Sequence, residues 1–267
     1  MEEKAYAKIN IGLRVGKRRA DGYHEIATYM ALTDLHDSIE GEIETSDEFS
    51  CVIEGNDGYI GGGTDLMEKA ARAFSSLSGI TFSIHLKIEK RIPAGAGLGG
   101  GSSDAAAVLR MLSSHFNTPR SVMREAAEMT GSDVPFFASG LRCAYATGRG
   151  EKLREASIPE GLSVMIIVPE YRVSTKNAYE ALDEKDREDA VLPPLPFTGV
   201  PDKASFPNDF ESVYTGPVPS FRASGPSYVS LSGSGSSWFA LYSSDDSFEF
   251  EKSEYCAIYS SSFIISG

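Results

Sequence analysis

The sequence is poor in cysteine and in long apolar runs. Its three cysteines, Cys51, Cys143 and Cys256, lie far apart and fit neither a disulfide framework nor the spacing of a metal site. No apolar run is long enough to cross a bilayer. The charged residues at positions 2–4 are not followed by the apolar core of a signal peptide. These absences predict a protein of the reducing cytoplasm, with no membrane as its partner.

Positive charge is also scarce. Lysine and arginine number 25 against 38 aspartates and glutamates, which gives a net charge of −13. This balance argues against nucleic acid or an anionic membrane as the main partner, although it does not exclude phosphate ligands, which respond to the local potential. With 41% hydrophobic and 24% charged residues the composition is that of a globular protein. The 267 residues suffice for one large domain or two modest ones.

Hydrophobic periodicity predicts a mixed α+β protein. Alternation over 7–15 predicts a half-buried strand, on which Lys8 and Asn10 share one face. A turn follows at 21–24, where Asp and Gly supply the turn chemistry. Further strands are predicted over 29–32, 37–44, 49–54, 82–88, 142–147, 163–168, 228–231 and 237–242. Helices are predicted over 65–77, 105–112, 120–129 and 175–182, with a glycine-rich loop at 58–63, an irregular proline-rich segment at 192–207 and a domain boundary near 150–156.

The most informative segment is PAGAGLGGGSSDAAAVL, from Pro93 to Leu109. Its glycines allow positive φ and a close approach of the backbone to a ligand. The residues at 102–104 are good N-cap residues for an alanine-rich helix that we expect to begin at Ala105. Backbone amides and the positive end of the helix dipole would then converge on one anion. We therefore predict a phosphate-binding loop rather than a flexible connector.

Two other nucleotide-binding motifs fit this segment less well. A Walker A loop ends in Gly-Lys-Ser/Thr, and no lysine is present here. Residues 95–100 satisfy G-x-G-x-x-G, but the preceding strand alternates instead of being buried on both faces. About 20 residues later the pattern is helical, where a dinucleotide site has an acid ending a strand. A dinucleotide-dependent oxidoreductase is therefore the weaker alternative to a kinase.

Phosphoryl transfer requires a proton acceptor and a cation beside the accepting hydroxyl. Asp133 is the candidate base, since a carboxylate beside the apolar run Val-Pro-Phe-Phe can be partly desolvated. From the local sequence alone, a plain helix N-cap is the favoured explanation of Asp133. Lys8 is the candidate cation, and its local alternative is an ordinary exposed strand lysine. Tyr23 and His24 either contact a base or sugar or simply pack within their turn. The histidines show no paired ligand spacing, so no structural metal is predicted.

These segments, taken in order along nearly the whole chain, resemble the GHMP kinase superfamily. The middle loop is similar to its P-x-x-x-G-L-G-S/G-S-S signature. A narrower resemblance, to the branch that phosphorylates the 2-hydroxyl of 4-diphosphocytidyl-2-C-methyl-D-erythritol on the non-mevalonate route to isoprenoid precursors, rests on six segments. They are residues 7–10 (AKIN), 21–25 (DGYHE), 95–106 (GAGLGGGSSDAA), 131–137 (GSDVPFF), 148–151 (GRGE) and 232–236 (SGSGS).

The resemblance implies the fold and the ligands. It implies an α+β kinase with an N-terminal ATP-binding domain over 1–153 and a ferredoxin-like α+β C-terminal domain over 154–267. The substrate, a cytidine diphosphate derivative of methylerythritol, would lie between these domains. ATP with Mg²⁺ would bind to the glycine loop.

The resemblance also implies roles for individual residues. Asp133 would take the proton from the hydroxyl, Lys8 would orient that hydroxyl and support the arriving charge, and Asn10 would lie beside the substrate. Tyr23 and His24 would contact the cytosine. The ATP phosphates would be held by Pro93, Gly95, Ala96, Gly97, Leu98, Gly99, Gly100, Gly101, Ser102 and Ser103, with Ser103 also contacting the metal. On the acceptor side the resemblance adds Tyr171, Val173, Ser174, Thr175, Gly233 and Ser234.

The chain departs from the family pattern at two places. Asp65 stands where the family has an adenine-contacting Asn, and we assign Asp65 to the ATP site in its stead. Between 208–211 and the SGSGS turn the chain is shorter than usual, which predicts a shortened C-terminal domain with a helix missing. We further expect a monomer or weak homodimer. The rival functions are a GHMP kinase for a sugar, homoserine or mevalonate, and a catalytically silent nucleotide-binding protein.

Overall fold

The computed structural model describes residues 1–55, 65–158, 161–185, 190–193, 200–222, 226, 228–243, 249–250 and 255–264. The predicted glycine-rich loop at 58–63 lies outside these residues. The chain packs into two compact units that interleave along the sequence. The first unit comprises Met1–Ala7, Leu35–Ala94 and Gly99–Leu141, and the second comprises Lys8–Asp34, Gly95–Leu98 and Arg142–Gly267. The single division expected at 153/154 stays a prediction.

Two long strands, β1 (Glu2–Arg18) and β2 (His24–Thr45), pair with each other, and each contributes residues to both units. The predicted turn between them is confirmed by the bond from the Arg19 amide to the Tyr23 carbonyl, 2.6 Å. The expectation of separate strands at 29–32 and 37–44 is wrong, because β2 runs through without a break. The Asp37 side chain is fully buried within this strand.

The first unit combines a small mixed sheet with four helices. The second half of β2 pairs antiparallel with β4 (Phe82–Glu89), and β3 (Ser50–Gly55) pairs parallel with β4. The helices are α1 (Leu66–Ser78), α2 (Gly100–His115), α3 (Arg120–Thr130) and α4 (Val134–Ala138). Helix α1 packs on α2 and α3, and Phe49, Phe74, Phe82 and Phe116 form an aromatic cluster in this unit. The predicted alternation of β4 is confirmed, since its apolar side chains face inward.

The second unit contains the first half of β2, which pairs antiparallel with β5 (Cys143–Gly148), and β5 in turn pairs with β6 (Lys152–Glu155). A separate antiparallel sheet has the order β12–β7–β10–β9. Its members are β7 (Leu162–Pro169), β9 (Tyr228–Leu231), β10 (Trp238–Ser243) and β12 (Tyr255–Ser262). The remaining elements are α5 (Thr175–Asp183), a 3-10 helix (Asp209–Ser212) and the short pair β8 (Phe221–Arg222) and β11 (Glu249–Phe250).

The separate sheet has a ferredoxin-like succession. The chain runs β7, α5, β9, β10 and β12, a β-α-β-β-α-β pattern whose second helix is missing from the described residues. Strands β6 and β12 were not predicted, because β6 is mostly exposed and the C-terminal pattern is irregular. The α+β class is confirmed by both units. Among the described residues, no helix has the length and apolar character required to cross a bilayer.

Candidate active site

The predicted site residues fall in both units, and each unit is described separately. In the second unit, the segment Gly95–Leu98 packs against the Ser-Gly turn that precedes β10. Gly97 (φ 78°) lies so close to this turn that a Cβ atom would be 2.2 Å from the Ser232 carbonyl oxygen. Ser232 Oγ donates to the Gly97 carbonyl oxygen at 3.0 Å, and the Ser237 amide donates to the Ala96 carbonyl oxygen, also at 3.0 Å. The two glycine-rich segments singled out in the sequence therefore form one backbone cluster.

A buried polar chain on β1 and β2 adjoins this cluster. Lys8 Nζ donates to Asn10 Oδ1, Asn10 Nδ2 donates to Thr28 Oγ1 at 3.0 Å, and Thr28 Oγ1 donates to the Gly12 carbonyl at 2.7 Å. Lys8 is only 4% exposed and Asn10 1%. The alternative of an ordinary exposed strand lysine is therefore wrong, and the predicted shared face of Lys8 and Asn10 is confirmed.

Lys8 and Asn10 converge on the Ser-Gly turn. A Cβ atom at Gly233 (φ 59°) would lie 3.4 Å from Asn10 Oδ1 and 3.6 Å from Lys8 Nζ. The Lys8 amide also donates to the Leu98 carbonyl at 2.9 Å, which fixes β1 to the glycine segment. Only a residue without a side chain leaves open the space in front of the ammonium group. The second unit therefore brings together Lys8, Asn10, Gly97 and Gly233.

The turn residues Tyr23 and His24 differ in their surroundings. His24 is buried, its Nε2 lies 2.8 Å from Asp183 Oδ1, and its ring stacks on Tyr179 at 4.9 Å between centroids. Tyr23 is 49% exposed, and the guanidinium group of Arg149 lies 4.8 Å from its ring centroid. The His24 ring is thus largely engaged in contacts within the protein, whereas the Tyr23 ring exposes aromatic surface to solvent. Their contact with cytosine stays a prediction.

The segment before α5 also meets the Ser-Gly turn. Ser174 Oγ caps α5 by accepting from the Asn177 amide. A hydrogen bond of 3.0 Å joins Thr175 Oγ1 to Ser234 Oγ, so these two predicted residues lie together. Tyr171 hydrogen-bonds instead to Thr215 Oγ1, at 2.7 Å. Its hydroxyl is thus held by the segment that follows the 3-10 helix.

In the first unit, α2 begins earlier than the sequence suggests. The helix starts at Gly100, and its N-cap is Gly99, with φ 73°. The prediction that residues 102–104 cap the helix is wrong, because these residues lie within its first turns. The cause is the positive φ of Gly99, which turns the chain into the helix without a capping side chain. The amides at Gly100 and Gly101 are consequently at the positive end of α2.

Ser103, the predicted metal contact, is completely buried in α2, and its Oγ has no hydrogen-bond partner within the described part of the chain. An orphaned buried hydroxyl is costly unless a ligand completes it. No cluster of three His, Cys, Asp or Glu side chains suited to a metal occurs among the described residues. The orphaned Ser103 hydroxyl fits the metal contact expected there, and that contact stays a prediction.

Asp65 and Asp133 both sit at helix N-cap positions, with different results. Asp65 Oδ1 accepts the Met67 amide at 2.7 Å, so it caps α1. Leu66, the next residue, lies against Gly101. A Cβ atom added at Gly101 would be 3.7 Å from Leu66 Cδ1. Asp133 precedes α4 in αR conformation, and its side chain makes no capping bond with that helix. Asp133 is therefore the N-cap residue of α4, as the local alternative predicts, although its side chain makes no capping bond, and its role as a base stays a prediction.

Sequence reasoning missed a buried charge cluster beside α2. Lys90 Nζ lies 2.5 Å from Asp37 Oδ2 and 2.6 Å from Asp104 Oδ2. Burial raises the pKa of Asp104 to about 8, although Lys90 opposes this. Burial lowers the pKa of Lys90, but the charges and hydrogen bonds of the two aspartates outweigh it and raise the pKa. The only signal in the sequence was Asp37 and Asp104 within apolar patterns.

Arg172 is another residue that the sequence analysis did not single out. Its Nη1 would lie 3.7 Å from a Cβ atom at Gly95. The second unit therefore has an arginine at the start of the glycine segment and Lys8 near Gly97. Both are cations of the kind that favour phosphate ligands.

Comparisons with known proteins show which family the chain resembles. The GHMP kinases N terminal domain matches residues 65–141. A protein of Chlorobium chlorochromatii named 4-diphosphocytidyl-2-C-methyl-D-erythritol kinase is 35% identical over 92% of this chain and 89% of its own. A crystal structure of 4-(cytidine 5'-diphospho)-2C-methyl-D-erythritol kinase is 32% identical, with a TM-score of 0.66 over 90% of each chain. Homoserine kinase from Cytophaga hutchinsonii, 15% identical with a TM-score of 0.57 over 97% of this chain and 94% of its own, shares the fold alone.

Proposed function

Because the chain belongs to the 4-diphosphocytidyl-2-C-methyl-D-erythritol kinase family, we propose that it transfers the γ-phosphoryl group of ATP to the 2-hydroxyl of 4-diphosphocytidyl-2-C-methyl-D-erythritol. This is a step of the non-mevalonate route to isoprenoid precursors. The observation that carries the proposal is the buried Lys8–Asn10–Thr28 chain beside Gly97 and Gly233. It holds an ammonium group at glycine backbone, where a phosphorylated ligand can approach.

The donor side consists of backbone amides and hydroxyls. Gly95, Gly97 and Gly99 all have positive φ, between 66° and 78°, a conformation that lets backbone amides face an anion. Gly100 and Gly101 open α2, whose dipole favours an anion there. Mg²⁺, when bound with ATP at Ser103, supplies charge neutralisation for the phosphates. We assign the adenine end to the neighbourhood of Asp65, at the start of α1.

The acceptor side uses one base and one cation. Asp133 accepts the proton of the substrate hydroxyl, from its position at the start of α4 beside the apolar run Val-Pro-Phe-Phe. Lys8 orients the same hydroxyl and stabilises the negative charge that arrives with the phosphoryl group. Asn10 holds the Lys8 side chain in place, and Thr28 holds Asn10. The reaction thus needs no covalent intermediate, only alignment and charge stabilisation.

The remaining predicted residues hold the substrate by its ends. Tyr23 offers an exposed aromatic face for the cytosine, and His24 borders it. Thr175 and Ser234, joined by a hydrogen bond of 3.0 Å, place two hydroxyls beside Gly233. Tyr171 lies on the segment that leads into α5. A cytoplasmic location and a monomeric or weakly dimeric state stay predictions of the sequence.

A coupled ADP-release assay tests the proposal. We expect Mg²⁺-dependent turnover with 4-diphosphocytidyl-2-C-methyl-D-erythritol and none above background with mevalonate, homoserine or galactose. Asp133→Asn should lower kcat by about 10²–10⁴-fold, the usual contribution of a general base, with little change in KM for ATP. Its melting temperature serves as the folding control. Turnover of mevalonate or homoserine in place of the cytidine compound would reject the assignment.

A further inference from the structure

The exposed ring of Tyr23 does not stand alone. The Arg149 guanidinium lies 4.8 Å from its centroid, a cation–π distance. Tyr23 belongs to the turn between β1 and β2, and Arg149 belongs to the turn between β5 and β6. Both turns are parts of the second unit. One face of the ring is therefore covered by a planar cation, while 49% of the residue remains exposed.

Two carboxylates fix the backbone that carries Arg149. Glu25 Oε1 accepts the Gly148 amide at 2.8 Å, and Glu151 Oε2 accepts the Arg149 amide at 2.6 Å. Glu25 follows Tyr23 by two residues on β2. The bond to Gly148 therefore ties the tip of the β1–β2 hairpin to the tip of the β5–β6 hairpin, and the two carboxylates fix the backbone at Gly148 and Arg149.

The Tyr23 turn is also held from within. Asp21 Oδ1 accepts the Tyr23 amide at 3.1 Å, and Arg19 forms ion pairs with Asp21 and Glu25 at 2.8 and 3.1 Å. These contacts fix the backbone of the turn but do not set the orientation of the tyrosine ring. The contact with Arg149 does set it. A phenol ring that is held in one orientation loses less conformational entropy when a second ring stacks on it.

We propose that Arg149 is a positioning residue for nucleobase recognition: it holds the Tyr23 ring so that the opposite face stacks on the pyrimidine of a cytidine diphosphate ligand. This inference rests on the proposed function for the contact between Tyr23 and cytosine. Arg149 itself does not touch the base. The residue therefore sets affinity for the nucleotide end of the acceptor and leaves the ATP site and the chemical step unchanged.

A double-mutant cycle tests the inference, with wild type, Arg149→Ala, Tyr23→Ala and the double variant. The probe is cytidine 5'-diphosphate, titrated by calorimetry without ATP, so that binding is measured independently of turnover. Loss of the cation–π contact should weaken binding by about two- to five-fold in Arg149→Ala. The same change should cost nothing further in the Tyr23→Ala background, because the ring it positions is gone. In the turnover assay, Arg149→Ala should raise KM for the cytidine substrate, while kcat and KM for ATP should keep their wild-type values.

The chain offers a matched control. The guanidinium group of Arg154 lies 5.3 Å from the Tyr145 ring, a second cation–π pair on the same hairpin. Arg154→Ala should leave nucleotide binding unchanged. Arg149→Lys, which keeps the charge but loses the planar group, should retain part of the affinity and guards against a folding defect in the alanine variant.

Each other outcome overturns the inference. An equal loss on changing Arg149 in both backgrounds would show that the arginine contacts the diphosphate directly. If Arg149→Ala binds cytidine 5'-diphosphate as tightly as wild type, or if Arg154→Ala loses the same affinity, the contact has only a structural role. The same conclusion follows if the wild-type protein does not bind cytidine 5'-diphosphate. Failure of the proposed function is distinct, since wild type would then bind the probe without turning over the full substrate.

Discussion

Each unit has a lysine with little solvent exposure: Lys8 is buried, and the Lys90 side chain is 16% exposed. The two lysines have different surroundings. Lys90 of the first unit lies between the carboxylates of Asp37 and Asp104, at 2.5 and 2.6 Å. Lys8 of the second unit donates to the amide oxygen of Asn10 and lies beside glycine backbone at Gly233. Low exposure alone therefore does not separate a lysine held in a charge cluster from the lysine that we propose contacts the substrate. The two lysines differ in their neighbours. Glycines leave room beside the Lys8 ammonium group, whereas carboxylates in a packed core neutralise the charge of Lys90.

The largest expected effects come from removing each lysine in turn. Lys8→Met should lower kcat by about 10²–10³-fold, as loss of a donor to a developing negative charge does. It should destabilise the protein by about 1–3 kcal/mol, because the buried Asn10 oxygen loses its donor. Lys90→Met should leave Asp37 and Asp104 buried without their cation and destabilise the protein by about 3–5 kcal/mol. ADP release and urea denaturation measure the two properties on the same preparations.

A third lysine calibrates this pair. Lys69 Nζ donates to the Thr130 carbonyl at 2.7 Å, so Lys69→Met removes one ordinary hydrogen bond and should cost about 0.5–1.5 kcal/mol. The comparison of Lys8 with Lys90 fails if Lys90→Met unfolds no more easily than Lys69→Met. It fails as well if Lys8→Met retains wild-type kcat.

The glycines of the two units make the next comparison. Gly97 and Gly140 have nearly the same backbone conformation, with φ 78° and 81°. A Cβ atom at Gly97 would lie 2.2 Å from the Ser232 carbonyl, whereas one at Gly140 would have no atom within 4 Å. Gly140→Ala should therefore cost only the left-handed strain, about 1–2 kcal/mol. Gly97→Ala should cost more and should displace the glycine segment.

Activity separates these two variants more clearly than stability. A shift of about 1 Å in a phosphate-binding segment can lower the rate by about 100-fold. Gly97→Ala should show such a loss in kcat/KM for ATP, and Gly140→Ala should keep wild-type kinetics. Equal kinetics in the two variants would mean that the packing of Gly97 on Ser232 does not matter to the phosphate site.

The same contrast marks what could be predicted from the sequence. The alternation over 7–15 was enough to place Lys8 and Asn10 on one face. The glycine spacing was enough to predict a phosphate-binding segment, and that role stays a prediction. The start of α2 was misplaced because a positive φ at Gly99 replaces a capping side chain, and local propensity favours Ser and Asp as caps. Hydrophobic periodicity indicates which residues share a face of a strand, but it does not indicate the φ of an individual residue.

Long-range pairings escaped the sequence for another reason. Lys90, Asp37 and Asp104 come from three separate elements, and only the packing of α2 against β2 and the end of β4 brings them together. The contact between Arg149 and Tyr23 likewise joins two turns that are 126 residues apart in the sequence. The motifs GRGE and DGYH were both singled out, but their adjacency requires the pairing of β5 with β2.

The smallest expected effect concerns the pH dependence of the Lys90 cluster. Burial raises the pKa of Asp104 from 3.8 to about 8, so the folded protein holds a proton that the unfolded chain releases near pH 4. Between these values the folded state binds more protons, and the stability contributed by this group falls as the pH rises. Asp104→Asn removes the titration and should flatten the melting temperature between pH 5 and 8 relative to wild type. Lys8 lies in the other unit, so Lys8→Met should keep the wild-type slope, and a slope unchanged by Asp104→Asn would assign the pH dependence to other groups.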